Sequence, residues 1–319
     1  MNILITGFAG FVGRAFTKRL LLDGHTIVGV DNFSSTDYPG TWWPRDKASK
    51  FYNEDVREYF RRHKSSQFDL VIHCAAVVGG RLKIDGDPLA VATDLAIDSD
   101  MFNWAVRSKP MPRVVYFSSS AVYPLELQVR NCYCDLSEPL VNFDAMRIAK
   151  PDMSYGWCKL TGEYLAKFAA EQYGLDVKVY RPFGGYGEDQ SFDYPFPSII
   201  RRVLLKQDPV VVWGSGDQQR DFIHVDDIVA GVLETMGKLP SGEVLNLGTS
   251  RAVSFRDLAL LAGATSVEND STRPEGVFRR IADTHKLFQY YKPKITLEEG
   301  IQRVAKHLQK SLDGSKVAV

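Results

Sequence analysis

The sequence predicts an α/β protein with a doubly wound, parallel sheet and a smaller, interleaved C-terminal lobe. Short runs of β-branched and aliphatic residues recur along the chain, and segments of helical periodicity lie between most of them. Because strand and helix alternate, the strands are expected to pair in parallel through right-handed crossovers. The strand runs are residues 2–6, 26–30, 70–73, 114–118, 177–180 and 244–247, and the clearest helical segments are 11–22 and 160–173.

The pattern changes after residue 181, where loops rich in glycine, aromatic and acidic residues begin. We therefore predict a larger, ligand-binding domain over residues 1–181, to which residues 220–254 return. Residues 182–219 and 255–319 are predicted to build a smaller substrate-binding lobe, woven into the first domain.

The balance of charge limits the partners of the chain. Lysine plus arginine and aspartate plus glutamate are equal at 39 each over 319 residues. Without a net positive field to hold a nucleic-acid backbone, we expect no nucleic-acid partner. The N-terminus begins with a strand, and no apolar run reaches the roughly 18 residues of a membrane span. The four cysteines form no CxxC pair and fit a reducing compartment. We therefore expect a cytoplasmic protein with no membrane partner.

A glycine turn follows the first predicted strand, with Gly7, Gly10 and Gly13 at intervals of three. Glycine lets the chain turn tightly, lets backbone N–H groups approach a pyrophosphate and packs the next helix closely on the sheet. An ordinary strand-to-helix turn is the alternative, but the position directly after a first strand favours a dinucleotide site. Phe11 and Val12, between the glycines, are predicted to contact the cofactor as well.

The second strand ends at Asp31, where a carboxylate accepts hydrogen bonds from ribose hydroxyls and repels a 2′-phosphate. This predicts NAD rather than NADP, bound in a Rossmann domain. The alternative is that Asp31 caps a turn before Asn32, which is itself a candidate cofactor contact. Asp55 and Val56 lie in the next segment, where the carboxylate either meets the adenine amino group or is a solvated surface group.

Tyr155 and Lys159 lie four residues apart at the start of a helical segment, so both side chains can face one side. A neighbouring ammonium and a positive nicotinamide ring favour the phenolate of a tyrosine and make it a usable base. The alternative is an amphipathic helix with one aromatic and one surface lysine. Ser119 and Ser120 follow an earlier strand, at the edge of the sheet where ligands bind. They either hydrogen-bond a reacting oxygen or make structural bonds only.

Several motifs together resemble the extended short-chain dehydrogenase/reductase family of nucleotide-sugar epimerases and dehydratases, and the similarity spans nearly the whole chain. The motifs are residues 7–13, 73–76 (HCAA), 119–123, Tyr155 with Lys159, 180–183 (YRPF) and 220–227 (RDFIHVDD). The resemblance implies a Rossmann sheet, NAD as the cofactor and a nucleotide sugar as the substrate. It also implies a homodimer, because family members commonly pair through the helices that match residues 94–106 and 159–173.

The resemblance also assigns roles to individual residues. Ser119, Tyr155 and Lys159 match the catalytic triad of the family. Further cofactor contacts are implied for Ala75, Ala76 and Phe183, and also for Tyr155 and Lys159 of the triad. Substrate contacts are implied for Gly80, Arg81, Ser119, Ser120, Tyr194, Arg220 and Arg279. The last two arginines are expected to hold the diphosphate and the nucleoside, since bidentate arginine contacts suit phosphate.

The residues after the catalytic serine indicate the branch of the family. Dehydratases carry an acid and a base there, whereas this chain has Ser120 and Ala121. Segments 77–81 and 94–100 resemble GDP-L-fucose synthases and GDP-mannose 3,5-epimerases, but those enzymes carry a cysteine in place of Ala121. The favoured function is therefore an epimerase that acts by transient oxidation to a ketosugar, with carbon 4 preferred. The alternative is a GDP-sugar 4-keto reductase or 3,5-epimerase.

Other polar residues are given structural roles. His73 and His224 end strands without metal-ligand spacing, so we predict no metal site and expect both to be hydrogen-bonded structural residues. Cys158 is expected to be a small buried hydrophobe. Gly184, where many family members have asparagine, leaves the identity of the sugar open. The intact triad disfavours a non-enzymatic NAD-binding protein.

Overall fold

The structure, a computed structural model, describes residues 1–34, 44, 46–63, 67–78 and 86–316, with residues 314–316 described by backbone alone. Its larger part contains a sheet of seven parallel strands, which confirms the predicted α/β fold. In spatial order the strands are β10 (Val244–Leu247), β6 (Val177–Pro182), β5 (Arg113–Phe117), β4 (Leu70–His73), β1 (Asn2–Thr6), β2 (Thr26–Asp31) and β3 (Lys50–Asn53).

Helices cover both faces of this sheet because successive strand residues point to opposite sides. Ile3 and Ile5 of β1 pack into one core, and Leu4 between them packs into the other. On the first face lie α1 (Phe11–Leu22) and α7 (Val225–Thr235). On the second face lie α2 (Val56–Arg62), α4 (Thr93–Arg107), preceded by the short α3 (Pro88–Val91), and α5 (Met153–Tyr173).

The remaining strands build a smaller lobe. In it β9 (Gln219–His224) pairs with β7 (Gly184–Tyr186), β11 (Ala252–Ser254) and β13 (Arg279–Arg280), and β8 (Val210–Trp213) pairs with β12 (Val267–Asp270). Its helices are α6 (Pro195–Leu204), α8 (Phe255–Leu261) and α9 (Leu297–Lys316). Phe196, Ile200, Leu258 and Val304 join these elements in one apolar core.

The chain crosses between the large sheet and the smaller lobe more often than the sequence predicted. Within residues 220–254, expected to return to the larger domain, α7 and β10 do pack on or in the seven-stranded sheet. The flanking strands β9 and β11 lie in the small sheet instead. Strand periodicity identifies a strand but not the sheet that it joins, so the sequence carried no signal for this division. No helix in the described part of the chain is long and apolar enough to cross a lipid bilayer.

Candidate active site

A cavity of about 470 Å³ opens where four parallel strands of the large sheet end. Gly7, Cys74, Ser118 and Phe183, the residues that line it on this side, follow the ends of β1, β4, β5 and, directly after Pro182, β6. Residues of the small lobe line the opposite side. Ligands of open α/β sheets bind at this carboxyl edge, so the cavity is the candidate active site.

The glycine turn forms one wall of the cavity. Gly7 has φ +69°, and a Cβ on it would lie 2.7 Å from the backbone nitrogen of Ala75. A Cβ on Gly13 would lie 2.0 Å from the carbonyl oxygen of Gly7. None of the described side chains caps α1 at Gly10, so the first amides of the helix, including that of Phe11, can bind an anion. The turn therefore fits a diphosphate, as predicted from the glycine spacing.

Asp31 lines the same wall and also holds the turn together. Its carboxylate accepts the Ala9 N–H at 3.0 Å and the Phe33 N–H at 2.8 Å. Burial raises the pKa of Asp31, against the lowering effect of these backbone N–H groups. Asn32 lies beside it in the cavity lining and accepts the N–H of Ser34 at 3.1 Å. The two roles considered for Asp31, turn residue and cofactor ligand, are thus compatible in one position.

The predicted cofactor contacts Asp55, Val56, Ala75 and Ala76 also line the cavity. Asp55 caps α2, and the Arg57 side chain donates to its carboxylate from Nε at 3.0 Å. The hydrogen bond with Arg57 lowers the pKa of Asp55. The carboxylate therefore already has a strong partner within its own chain.

The three predicted catalytic residues all line the cavity. Tyr155 and Lys159 lie one turn apart on α5, with the Lys159 Nζ 6.0 Å from the centroid of the Tyr155 ring. Ser119 begins a short 3₁₀ turn over residues 120–122 and accepts the N–H of Ala121 at 3.1 Å. The Ser119 hydroxyl is also close enough to the Tyr155 phenol to lower the pKa of this tyrosine.

The charge of Lys159 is fixed by its surroundings. Burial alone would lower the pKa of this lysine, but the nearby carboxylates of Asp98 and Asp94 and the Tyr155 phenol raise it overall. Burial raises the pKa of Tyr155, whereas Lys159 pulls it down. A permanent ammonium beside the phenol is the arrangement that favours the phenolate once the site is occupied.

Two carboxylates beneath Lys159 were not predicted to belong to the site. Asp98 accepts a hydrogen bond from the Tyr116 hydroxyl at 2.5 Å and lies 3.2 Å from Nε2 of His73. Asp94 accepts the Val77 N–H at 2.6 Å, and its second oxygen is buried without a partner among the described residues. Burial raises the pKa of Asp94 to about 6. Their spacing of four on one helix was visible in the sequence, but their burial was not.

On the substrate side, Ser120, Tyr194 and Arg220 line the cavity, as the resemblance implied. Gly80 and Arg81 lie outside the described residues.

Arg279 is not part of the cavity lining, and its neighbour Arg280 is. Arg279 donates to the carbonyl of Cys134 and to Asp135, both at 2.7 Å. Arg280 donates to Gln128 at 2.6 Å and to Asp152 at 2.7 Å. Successive side chains of a strand point to opposite sides, so only one of the two arginines can face the cavity.

The described residues of the cavity lining offer few further groups for proton transfer. Ala121 is buried, and a Cβ on Gly184 would lie 2.8 Å from the carbonyl oxygen of Asp221, so no larger residue fits there without movement. Cys158 is buried with its Sγ 3.7 Å from the Val91 carbonyl and does not line the cavity. Cys74 does, but burial raises the pKa of its thiol to about 12.

A model of the NAD dependent epimerase/dehydratase family matches residues 3–248 of this chain. The chain belongs to this family. Its cofactor is NAD, and the glycine turn and Asp31 fit that cofactor in shape and charge.

The two strand-end histidines were predicted to be hydrogen-bonded structural residues, and the structure agrees. His73 lies 2.8 Å from the Thr6 hydroxyl, and His224 lies 3.2 Å from Glu188.

Similar proteins cover nearly the full length of the chain. A putative GDP-L-fucose synthase 2 of Oryza sativa subsp. japonica is 28% identical and aligns over 94% of this chain and 85% of its own. A putative UDP-glucose 4-epimerase of Methanocaldococcus jannaschii is 27% identical over 95% and 96% of the two chains. The crystal structure of the Thermotoga maritima UDP-glucose 4-epimerase with UDP-glucose superposes with a TM-score of 0.84, at 26% identity, over 98% of this chain and 100% of that one.

Proposed function

We propose that this protein is a nucleotide-sugar epimerase, with inversion at carbon 4 favoured. The observation that carries the proposal is that Ser119, Tyr155 and Lys159 meet in the same cavity as the glycine turn. The glycine turn and Asp31 would hold NAD, which would supply reversible hydride transfer with the sugar carbon and so allow inversion through a transient ketosugar. The chain itself supplies the acid/base and positioning groups.

Tyr155 is placed to take the proton of the reacting hydroxyl and to return it. Lys159 stabilises the phenolate by its charge, and the Ser119 hydroxyl orients both the phenol and the sugar oxygen. Arg220 and Arg280 supply guanidinium groups to the substrate side of the cavity, where they suit the diphosphate of a nucleotide sugar.

The lack of a base at position 121 supports simple epimerisation over 3,5-epimerisation or dehydration. The latter two pass through an enolate, which needs a base over the carbon beside the ketone, and Ala121 has no such group. Tyr194 lines the cavity and is the first residue to test as a replacement, whereas Asp193 and Cys132 lie outside the lining. The second candidate is a GDP-sugar 4-keto reductase or 3,5-epimerase, favoured by the relative named as a putative GDP-L-fucose synthase.

Incubation of the protein with UDP-, GDP-, CDP- and dTDP-sugars in D₂O, followed by proton NMR, tests the proposal. We expect a new anomeric signal, no deuterium on the ring and no net change in the NADH absorbance. Ring deuterium would indicate a carbon base and favour the 3,5-epimerase. A net absorbance change would favour the reductase, and no product from any sugar would count against the epimerase.

We also infer a homodimer built on α4 and α5. Trp157, Tyr164 and Phe168 lie on one side of α5 and are 45%, 50% and 45% exposed, whereas Leu160, one turn before Tyr164, is buried within its own chain. Sedimentation should show a dimer at micromolar concentration, and Phe168→Glu should weaken it. Leu22→Glu, at an exposed position of α1, is the matched control. A monomeric wild type would contradict this inference.

The location in the cell is a further part of the proposal. All four cysteines are free thiols in the structure, with Cys158 buried and the other three partly buried. Free thiols are typical of proteins of reducing compartments. We therefore infer a cytoplasmic protein. Its detection only in an oxidising, secreted fraction of the source cells would contradict this.

A further inference from the structure

Cys132 and Cys134 form a thiol pair outside the active-site cavity. Their Sγ atoms are 3.4 Å apart, and only Tyr133, which is 74% exposed, separates them in the chain. Both cysteines are partly buried, and the Cys134 Sγ also lies 3.7 Å from the carbonyl oxygen of Leu127. The pair lies on the segment between the 3₁₀ turn at residues 120–122 and α5.

The two thiols have different chemical surroundings. The backbone N–H and the thiol of Cys134 stabilise the thiolate of Cys132 and lower its pKa, and the guanidinium of Arg279 adds to this effect. Burial raises the pKa of Cys134. One thiol is thus disposed to react as a thiolate, and a protonated partner lies directly beside it.

We propose that Cys132 and Cys134 are a redox-active dithiol that closes to a disulfide by exchange with a small-molecule disulfide such as oxidised glutathione. The Cys132 thiolate attacks one sulfur of the small disulfide, whose S–S bond breaks and releases one thiolate. Cys134 then loses its proton and attacks the Cys132 sulfur, which releases the second thiolate. The cysteine pair is oxidised by two electrons, the small disulfide is reduced, and its two thiols take up the two protons.

The spacing of the pair permits this closure. Residues two apart can be separated by at most about 7 Å between Cα atoms. A disulfide needs Cα atoms roughly 4.4–6.8 Å apart and sulfurs at about 2.05 Å, so the sulfurs must approach further by side-chain rotation and small shifts of the loop. The resulting ring is small, and strained or exposed disulfides are the ones that thiols reduce readily. The closure is therefore expected to be reversible.

The pair is also connected to the substrate side of the cavity. The Cys134 carbonyl accepts a hydrogen bond from Arg279, the residue before Arg280. Gln128, on the same segment, makes two further bonds to this part of the chain. Its carbonyl accepts the Phe278 N–H at 2.9 Å, and its side chain accepts a hydrogen bond from Arg280. If the proposed function holds, closure of the disulfide should therefore raise KM for the nucleotide sugar by severalfold and change kcat less.

The direct test is independent of any sugar chemistry. The folded protein is treated with oxidised glutathione, its remaining thiols are alkylated, and its peptides are examined by mass spectrometry. We expect the peptide holding both cysteines to lose two hydrogen atoms and to escape alkylation, with dithiothreitol restoring it. Cys74 and Cys158, whose pKa values burial raises to about 12 and about 11, serve as internal controls and should remain reduced.

Two variants separate the steps. Cys134→Ser should stop at a stable glutathione adduct on Cys132, and Cys132→Ser should form adducts at least roughly tenfold more slowly. A wild-type protein that keeps both thiols, or that carries only glutathione adducts on them, would overturn the proposal. If the oxidised protein has an unchanged KM, only the proposed effect of the disulfide on the substrate side is overturned. If no sugar is turned over, the mass spectrometry still tests the dithiol.

Discussion

The two halves of the cavity are built in different ways. The cofactor half consists of the glycine turn and Asp31, with Ala75 close by, all from the first quarter of the chain and largely presenting backbone groups. The substrate half consists of side chains such as Tyr194, Arg220 and Arg280, which come from three separated segments of the small lobe.

This difference explains what each half can recognise. Backbone amides at a glycine turn fit any dinucleotide diphosphate, so the cofactor half recognises a feature common to many ligands. The substrate half acts through side chains whose positions depend on the packing of distant segments. Tyr155, with Ser119 and Lys159, lies where the two halves meet.

The largest effect is expected at this meeting point. Tyr155→Phe removes the group that exchanges a proton with the sugar, so turnover should fall by roughly 10²–10⁴-fold. NAD binding should remain, because the glycine turn is untouched. Tyr164→Phe, on the same helix but half exposed, is the control and should leave turnover unchanged. Steady-state rates and NAD titration check both variants, and a Tyr155→Phe protein of normal activity would remove this tyrosine from the mechanism.

A smaller effect is expected in the substrate half, where adjacent arginines provide a matched pair. Lysine cannot reproduce the bidentate contact of a guanidinium, so Arg280→Lys should raise KM by roughly 10–100-fold, the loss of one or two charged hydrogen bonds. Arg279→Lys should change KM far less, although both arginines are largely buried and ion-paired. Equal increases in the two variants would mean that strand stability, rather than contact with the substrate, sets KM.

These two arginines show where prediction from sequence stops. The helix expected over residues 11–22 is α1, and the glycine turn precedes it as predicted, because local sequence determines both. By contrast β13 is two residues long, too short for alternation to reveal which arginine faces inward. The carboxylates of Asp94 and Asp98 were likewise visible as a helical pair, but their burial beneath Lys159 depends on how α4 packs against α5.

That carboxylate pair gives a pH-dependent test. Burial raises the pKa of Asp94 from 3.8 to about 6, so the folded protein binds a proton at this carboxyl more tightly than the unfolded chain does. The proton therefore stabilises the folded protein below about pH 3.8, and this stabilisation is lost as the pH rises to about 6. Asp94→Asn removes the charge and should stabilise the protein above pH 6 by up to about 3 kcal/mol, since one pKa unit is worth about 1.4 kcal/mol.

Asp98→Asn is the matched opposite, one turn further along α4. Interactions with Lys159 and His73 outweigh burial and lower the pKa of Asp98, so its charge stabilises the fold at neutral pH and this contribution is lost only in acid. This variant should therefore be less stable than wild type at pH 7. Urea unfolding at pH 4 and pH 7 measures both, and a destabilised Asp94→Asn protein at pH 7 would show that the charge of Asp94 is needed beside Lys159.

The smallest effect is expected in the cofactor half, where backbone groups do most of the binding. Asp31→Asn keeps an oxygen that can accept the Ala9 or Phe33 N–H but removes the charge that repels a 2′-phosphate. Affinity for NAD should fall by about tenfold or less, and its advantage over NADP should narrow, because loss of one charged hydrogen bond is worth about 1.5 kcal/mol.

Asp55→Asn is the control variant. The Asp55 carboxylate is already bound by Arg57, so the ratio of the affinities for NAD and NADP should stay near that of wild type. Fluorescence titration with both cofactors measures these ratios. If Asp31→Asn keeps the wild-type preference for NAD over NADP, Asp31 is only a turn residue. If the preference changes in Asp55→Asn instead, NAD and NADP are distinguished on the adenine side of the cavity rather than on the ribose side.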